Sequence, residues 1–275
     1  MTRPSRPVLS FAIGAAAGWA GGLIGLGGAE FRLPALVGAL RFSPREAVAV
    51  NLVASLFVLA AAFPFRAATV PVSDILPHLP AMMGMLAGSM SAAWIGAGWL
   101  RHTSDKLLGR LILLLLVGLG CILIAEGLFV AEPIRLVGEG MVLTLLVAAA
   151  CGVVIGLVSS LLGVAGGELI IPVFILLFGV DVKVAGSMSI LVGIPTITVG
   201  LTRHFGAGSV LRARVVWRAT ILPLCAGSIL GAILGALALG VVPGQALKVG
   251  LGIILIWSAW SVFRHLSSAS SSSGP

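Results

Sequence analysis

Charge is what this sequence has least of. Asp, Glu, Lys and Arg together make up 9% of its 275 residues, well below the roughly 25% typical of soluble domains. That shortage excludes a water-soluble globule, and 59% hydrophobic content with a mean hydropathy of +1.18 places the chain in a bilayer. Cysteine is also scarce. Cys121, Cys151 and Cys225 lie singly inside apolar runs, so neither a disulfide framework nor a zinc site is signalled. No G-x-x-x-x-G-K-[ST] loop is present, which argues against a built-in nucleotide pump. No H-E-x-x-H helix and no Ser-His or Cys-His pairing at membrane depth speaks for an enzyme. Neither a metal nor a cofactor is expected. The net charge of +8 comes from basic residues scattered between apolar runs, without an aromatic and basic surface module. The expectation is therefore topology determinants and no nucleic-acid partner.

What the chain does have is long apolar stretches, at 8–27, 46–63, 76–98, 107–130, 141–163, 185–202, 216–240 and 246–263. Most approach the ~20 residues that cross a bilayer as a helix. Arg3 and Arg6 ahead of the first run resemble a signal-peptide start, but the same pattern recurs inside the chain.

Displacing the sequence by 138 positions pairs Gly14 with Gly152, Gly18 with Gly156, Gly25 with Gly163, Gly28 with Gly166, Glu30 with Glu168 and Pro34 with Pro172. One residue later in register, Gly88-Ser89 matches Gly227-Ser228. Two copies of one plan follow: a first membrane repeat over 8–132 and a second over 133–266, with a cytoplasmic N-terminus at 1–7 and a Ser-rich tail at 267–275 expected to be disordered.

Eight simple spans leave the basic residues almost evenly divided between the two sides. A different layout results if 8–41 and 141–180 are re-entrant hairpins that descend toward mid-membrane, break at glycine and return. Arg3, Arg6, Arg41, Arg45, Arg101, Lys106, Arg110, Arg203, Arg212, Arg214, Arg218 and Arg264 then face the cytoplasm, and only Arg66, Arg135, Lys183 and Lys248 face outward. The positive-inside rule favours this arrangement, which also puts Trp94, Trp99, Trp217, Trp257 and Trp260 near the cytoplasmic interface. The expected fold class is an all-α polytopic membrane protein with two inverted repeats, each a glycine-broken hairpin plus three transmembrane helices. It would lie in the inner membrane with both termini cytoplasmic.

Broken helices inside a bilayer expose backbone polar groups, and paired breaks point to a binding site. The return helices, expected to start near Phe31 and Leu169, would aim free N–H groups at the membrane centre as an anion cradle. Gly27, Gly28, Ala29 and Glu30, with Gly166, Gly167 and Glu168, are the candidate cradle residues. Glu30 and Glu168 read either as proton-coupling carboxylates or as acids that complement the start of a helix. Arg32, whose counterpart is Ile170, either contacts the anion or snorkels to the interface. Asn51, Ser55, Ser187 and Ser189, with Thr196 and Thr198, could bond an oxyanion or simply pack. The series Gly84 and Gly88, and Gly227, Gly231 and Gly235, reads as close helix contact.

The motif ending in Pro34, its copy ending in Pro172, and Leu222-Pro223-Leu224-Cys225-Ala226-Gly227-Ser228-Ile229-Leu230-Gly231 together resemble the TauE/SafE sulfite exporter family. The resemblance implies a cytoplasmic-membrane permease for sulfite, sulfonates or other organosulfur anions. The two copies differ where Ala29 faces Gly167 and Gly27 faces Ala165, which predicts unequal cradles. The functional expectation is a secondary transporter of a small organosulfur or carboxylate anion, proton-coupled at mid-membrane. A passive anion channel and a non-transporting scaffold are the alternatives. Expected partners are the small anion and the lipid bilayer, and a homodimer is compatible with the sequence.

Overall fold

The structure, a computed structural model, describes residues 6–25, 27–42, 44–99, 113, 117–118, 120–125, 127–128, 135–138, 140–162, 166–204 and 216–271. Among them there is helix and no strand. The elements are α1 (Pro7–Ile24), α2 (Ala29–Gly38), α3 (Pro44–Thr69) and α4 (Val72–Ile75), the last running into a 3-10 turn at Leu76–His78. Next come α5 (Leu79–Trp99), α6 (Met141–Leu162), α7 (Gly167–Phe178) and α8 (Val182–His204). A π-helical turn at Trp217–Ile221 then leads into α9 (Leu222–Ala238), followed by α10 (Gly244–Ser271). Five stretches are long and apolar enough to cross a membrane: Pro7–Ile24, Glu46–Thr69, Met141–Ser159, Val182–Thr202 and Trp217–Ala238. Most of the expected run 107–130, Glu126 included, lies outside the described residues.

Both expected helix breaks are present. α1 ends on Gly25 at φ 95°, and Gly27 and Gly28 follow at φ 83° and 67°. In the second copy Gly166 has φ 74°. Left-handed backbone is costly for any residue with a Cβ, so these glycines end one helix and start another. Gly28 and Gly166 occupy the N-cap positions, which is why α2 and α7 begin two residues ahead of the starts read at Phe31 and Leu169. After the first break the chain doubles back, and a methyl group at Gly28 would strike the carbonyl of Ala17. α2 therefore starts alongside the middle of α1, not at its tip.

The closest packing is between α1 and α9 and between α5 and α6. Both contacts are made of glycine. A Cβ at Gly14, Gly18 or Gly22 would collide with the backbone of Leu224, Ser228 or Ala232, and one at Gly227, Gly231 or Gly235 with that of Phe11, Ala15 or Trp19. Numbers rise together on both helices, so α1 and α9 run parallel. Gly84 and Gly88 meet Leu145 and Ala149, while Gly152 and Gly156 meet Met85 and Ser89, so α5 and α6 are parallel too. Without apolar solvation to drive helix association in lipid, such backbone approach supplies the dispersion contact that does. The expected close helix contact at these glycines is borne out, and the partner in each case lies in the other half of the chain.

Glycines without such neighbours mark the opposite case. Nothing lies within 4 Å of a Cβ built at Gly200 inside α8. Gly200→Ala should therefore raise stability by up to about 1 kcal/mol through helix propensity alone, measurable as a higher unfolding midpoint in detergent.

Two apolar clusters form the interior. One gathers α2, α3, the inner face of α9 and residues such as Ile190 and Ile197 of α8. The other surrounds α7 with parts of α5, α6, α8 and α10. Two expectations need correction. Arg66, read as an outward loop residue because its apolar run was ended at residue 63, lies inside α3, which continues through Pro64 to Thr69, and it is fully buried. The Ser-rich tail, read as disordered from residue 267, is helical through Ser271 as the end of α10. No glycine or proline interrupts that helix beyond Gly252, and serine costs a helix only a few tenths of a kcal/mol. Trp94, Trp257 and Trp260 are exposed, with Trp257 stacked on Phe31 at 5.4 Å.

Candidate anion site at the first helix break

A helix that ends in an apolar bundle leaves carbonyls without intrahelical partners. At the first break nearly every such group is met by a side chain. Arg66 donates through Nη1 to the carbonyls of Gly22 and Leu23 (3.1 and 3.0 Å), through Nη2 to that of Lys183 (3.0 Å), and through Nε to Ser187 Oγ (3.4 Å). The hydroxyl of Ser189 donates to the carbonyls of Gly25 and Gly186, each at 2.8 Å. Arg32, in the first turns of α2, donates through Nη2 to the Gly27 carbonyl (2.7 Å) and to Ser55 Oγ (2.6 Å), and through Nε to Asn51 Oδ1 (3.0 Å). Asn51 in turn donates through Nδ2 to the Ala29 carbonyl (3.1 Å).

Both arginines have 0% exposure. Snorkelling is thereby ruled out for Arg32. Burying a guanidinium costs several kcal/mol, and hydrogen bonds from a charged donor return about 1.5–3 kcal/mol each, so three or four such bonds offset the burial. The result is two positive charges fixed on either side of a non-helical backbone segment. Arg66 spends its donors on main-chain carbonyls and acts as a staple between the end of α1 and the start of α8. Arg32 sits where α2 begins, with the side-chain amide of Asn51 and the hydroxyl of Ser55 beside it.

Of the residues read from the sequence, Gly27, Ala29, Arg32, Asn51 and Ser55 thus come together in one network. Ser187 and Ser189 join the adjoining Arg66 staple, and Gly28 packs on α1. Glu30 belongs to the first turn of α2, and its side chain lies outside the described residues. Gly166, Gly167 and Glu168 lie apart from that network, at the second break. There Glu168 is 5% exposed, Ile170 occupies the place of Arg32 with 0% exposure, and Gly166 is walled by Ile155, Ser159 and Ile170. Thr196 bonds the Val192 carbonyl and Ser89, and Thr198 is exposed and bonds the Ile194 carbonyl. These two hydroxyls serve helix packing and their own backbone. Arg66 was the residue that sequence reasoning missed. The signal was an arginine flanked by Phe65, Ala67 and Ala68, apolar enough to extend the helix around it. Among the described residues no group of three His, Cys, Asp or Glu side chains could hold a metal.

Five apolar helices of crossing length, two of which run into a glycine break, and a buried polar network at the first break define a polytopic helical membrane protein. Residues 147–274, spanning the second break and the segment Leu222–Gly231, match the family model described as Sulfite exporter TauE/SafE. This part of the chain is thus similar to the TauE/SafE family, as the glycine motifs had suggested. No curated protein and no solved structure matches the chain.

Proposed function

We propose that the protein is a secondary transporter carrying a small sulfite-like or organosulfur anion across the cytoplasmic membrane, with the substrate held at the start of α2. The observation that carries this reading is the buried Arg32, Asn51 and Ser55 cluster on the broken segment. A fixed cation and neutral polar groups at a helix N-terminus suit an oxyanion, and a bilayer protein does not keep such a group without a role.

Helix directions support an inverted pair of re-entrant hairpins. On α3, Asn51 and Ser55 lie level with Arg32, and Arg66 lies level with the end of α1, so α3 runs alongside α1 in the same sense. The short link at residues 70–78 turns α5 back, and α6 runs parallel to α5. α6, the counterpart of α1, then points opposite to it. In this reading both termini are cytoplasmic, the unequal breaks bind unequally, and the first holds the substrate. Glu30 and Glu168 carry the coupling proton while the hairpins rock against the other helices.

Reconstituted protein loaded with radiolabelled sulfite tests this. Arg32→Gln is expected to lower flux at least about tenfold while leaving the protein folded, and Glu168→Gln to flatten the dependence of flux on an imposed pH gradient. Wild-type flux in Arg32→Gln would overturn the assignment of the site, and unchanged gradient dependence in Glu168→Gln the assignment of the proton carrier.

A further inference from the structure

Hydroxyls inside membrane helices find a partner in their own backbone or on a neighbouring helix. Ser10, Thr69, Ser91, Thr196 and Thr198 each donate to the carbonyl four residues back. Ser228 departs from this. It has 0% exposure, and its hydroxyl makes no hydrogen bond among the described residues. A buried hydroxyl left unmet opposes folding, so its presence calls for a reason.

The internal repeat shows what has been removed. Ser89, the counterpart of Ser228, shares a 2.9 Å hydrogen bond with Thr196. Thr196 lies 138 positions after Val58, so the matching partner for Ser228 is a valine, fully buried and unable to bond. The half that lost this partner is also the half with Arg32 in the place of Ile170. Both differences fall on one wall of the bundle. Val53, Ala54 and Val58 of α3 share an apolar cluster with Leu224 and Cys225 of α9. The charge of Arg32 acts on the Cys225 thiol, and Ser228 is one turn farther along α9, with its backbone against Gly14 and Gly18 of α1. On α3, Ser55 accepts from Arg32, and Val58 is likewise one turn farther along. Since α3 and α9 both run with α1, the unmet hydroxyl stands about one turn beyond the guanidinium.

We propose that Ser228 is a direct ligand of the transported oxyanion: its hydroxyl donates to one anion oxygen while Arg32 faces the charge, and Val58 leaves that hydroxyl unoccupied for the task. The assignment rests on the reading of the first break as the transport site. Both groups are closed to solvent, so the contact forms when the first hairpin moves and the anion enters between α2 and α9.

Sodium sulfite titrated calorimetrically into the full chain in lipid nanodiscs, with thermal melts of the same samples, tests this. The variants are Ser228→Ala, Val58→Thr and Arg32→Gln. Val58→Thr gives Ser228 the partner that Ser89 has, so it is expected to melt above wild type and yet bind sulfite about five- to tenfold more weakly; Ser228→Ala should lose a similar factor in affinity. A hydroxyl that served packing alone would move the melts and leave affinity untouched. Unchanged affinity in both Ser228→Ala and Val58→Thr, with binding lowered in Arg32→Gln, would overturn the role of Ser228 and leave the break site standing. Full affinity in Arg32→Gln, or no binding by wild type, would instead overturn the break site, and the role of Ser228 with it.

Discussion

Arg66→Ala is expected to cost the protein its fold before its activity can be assayed. The guanidinium satisfies the carbonyls of Gly22, Leu23 and Lys183 in a region closed to water. Each buried acceptor left bare costs about 1–3 kcal/mol, so the loss over three is roughly 3–9 kcal/mol, comparable with the whole stability of many domains. The measurement is the folded, monodisperse fraction after extraction in mild detergent, followed by thermal unfolding. Arg66→Lys keeps a charge and three donors, and should recover part of the loss, since an ammonium reaches one or two of these carbonyls but not the full fork. Equal stability in Arg66→Ala and wild type would mean that the break is held by something other than this staple.

The second large effect belongs to the glycine seams. Gly18→Val places a branched side chain against the Ser228 backbone, and Gly156→Val does the same against Ser89. Neither neighbour is a flexible side-chain end that could swing aside. The helices must part along their length, forfeiting contacts worth several kcal/mol in sum. Both variants should therefore melt well below wild type or fail to accumulate, whereas Gly200→Ala, at a position with open space, should not. Thermal melts of the three proteins side by side give the comparison. Comparable midpoints for Gly18→Val and wild type would refute the reading of α1 and α9 as a backbone-to-backbone seam.

Much of this was readable from residues alone, because repeats and glycine patterns report backbone events directly. Gly25, Gly28 and Gly166 announced the breaks, since only glycine takes left-handed φ without strain. Gly84, Gly88, Gly227, Gly231 and Gly235 announced tight contact, because an absent side chain inside a membrane helix has few other uses. Gathering Arg32 with Asn51 and Ser55 was half legible. The residues stood out as polar in apolar runs, but their meeting depends on α2 folding back against α3. Arg66 was not legible as a buried group. Hydropathy averages a lone arginine into a helix end, and only the three-dimensional position of the Gly22 and Leu23 carbonyls gives it a partner. The choice of seam partners was equally hidden, because a glycine face specifies closeness and not the helix it approaches.

That exchange of partners has a consequence for how the protein is made. α1 emerges from the ribosome well before α9, yet the surface that completes it lies on α9, since Gly18 meets Ser228. At ~5–20 residues per second, roughly 200 further residues take on the order of 10–40 s to synthesise. During that time the glycine groove of α1 faces lipid or the insertion machinery with no mate. Neither half can mature alone, and two separately expressed halves should be degraded singly and rescue one another when made together.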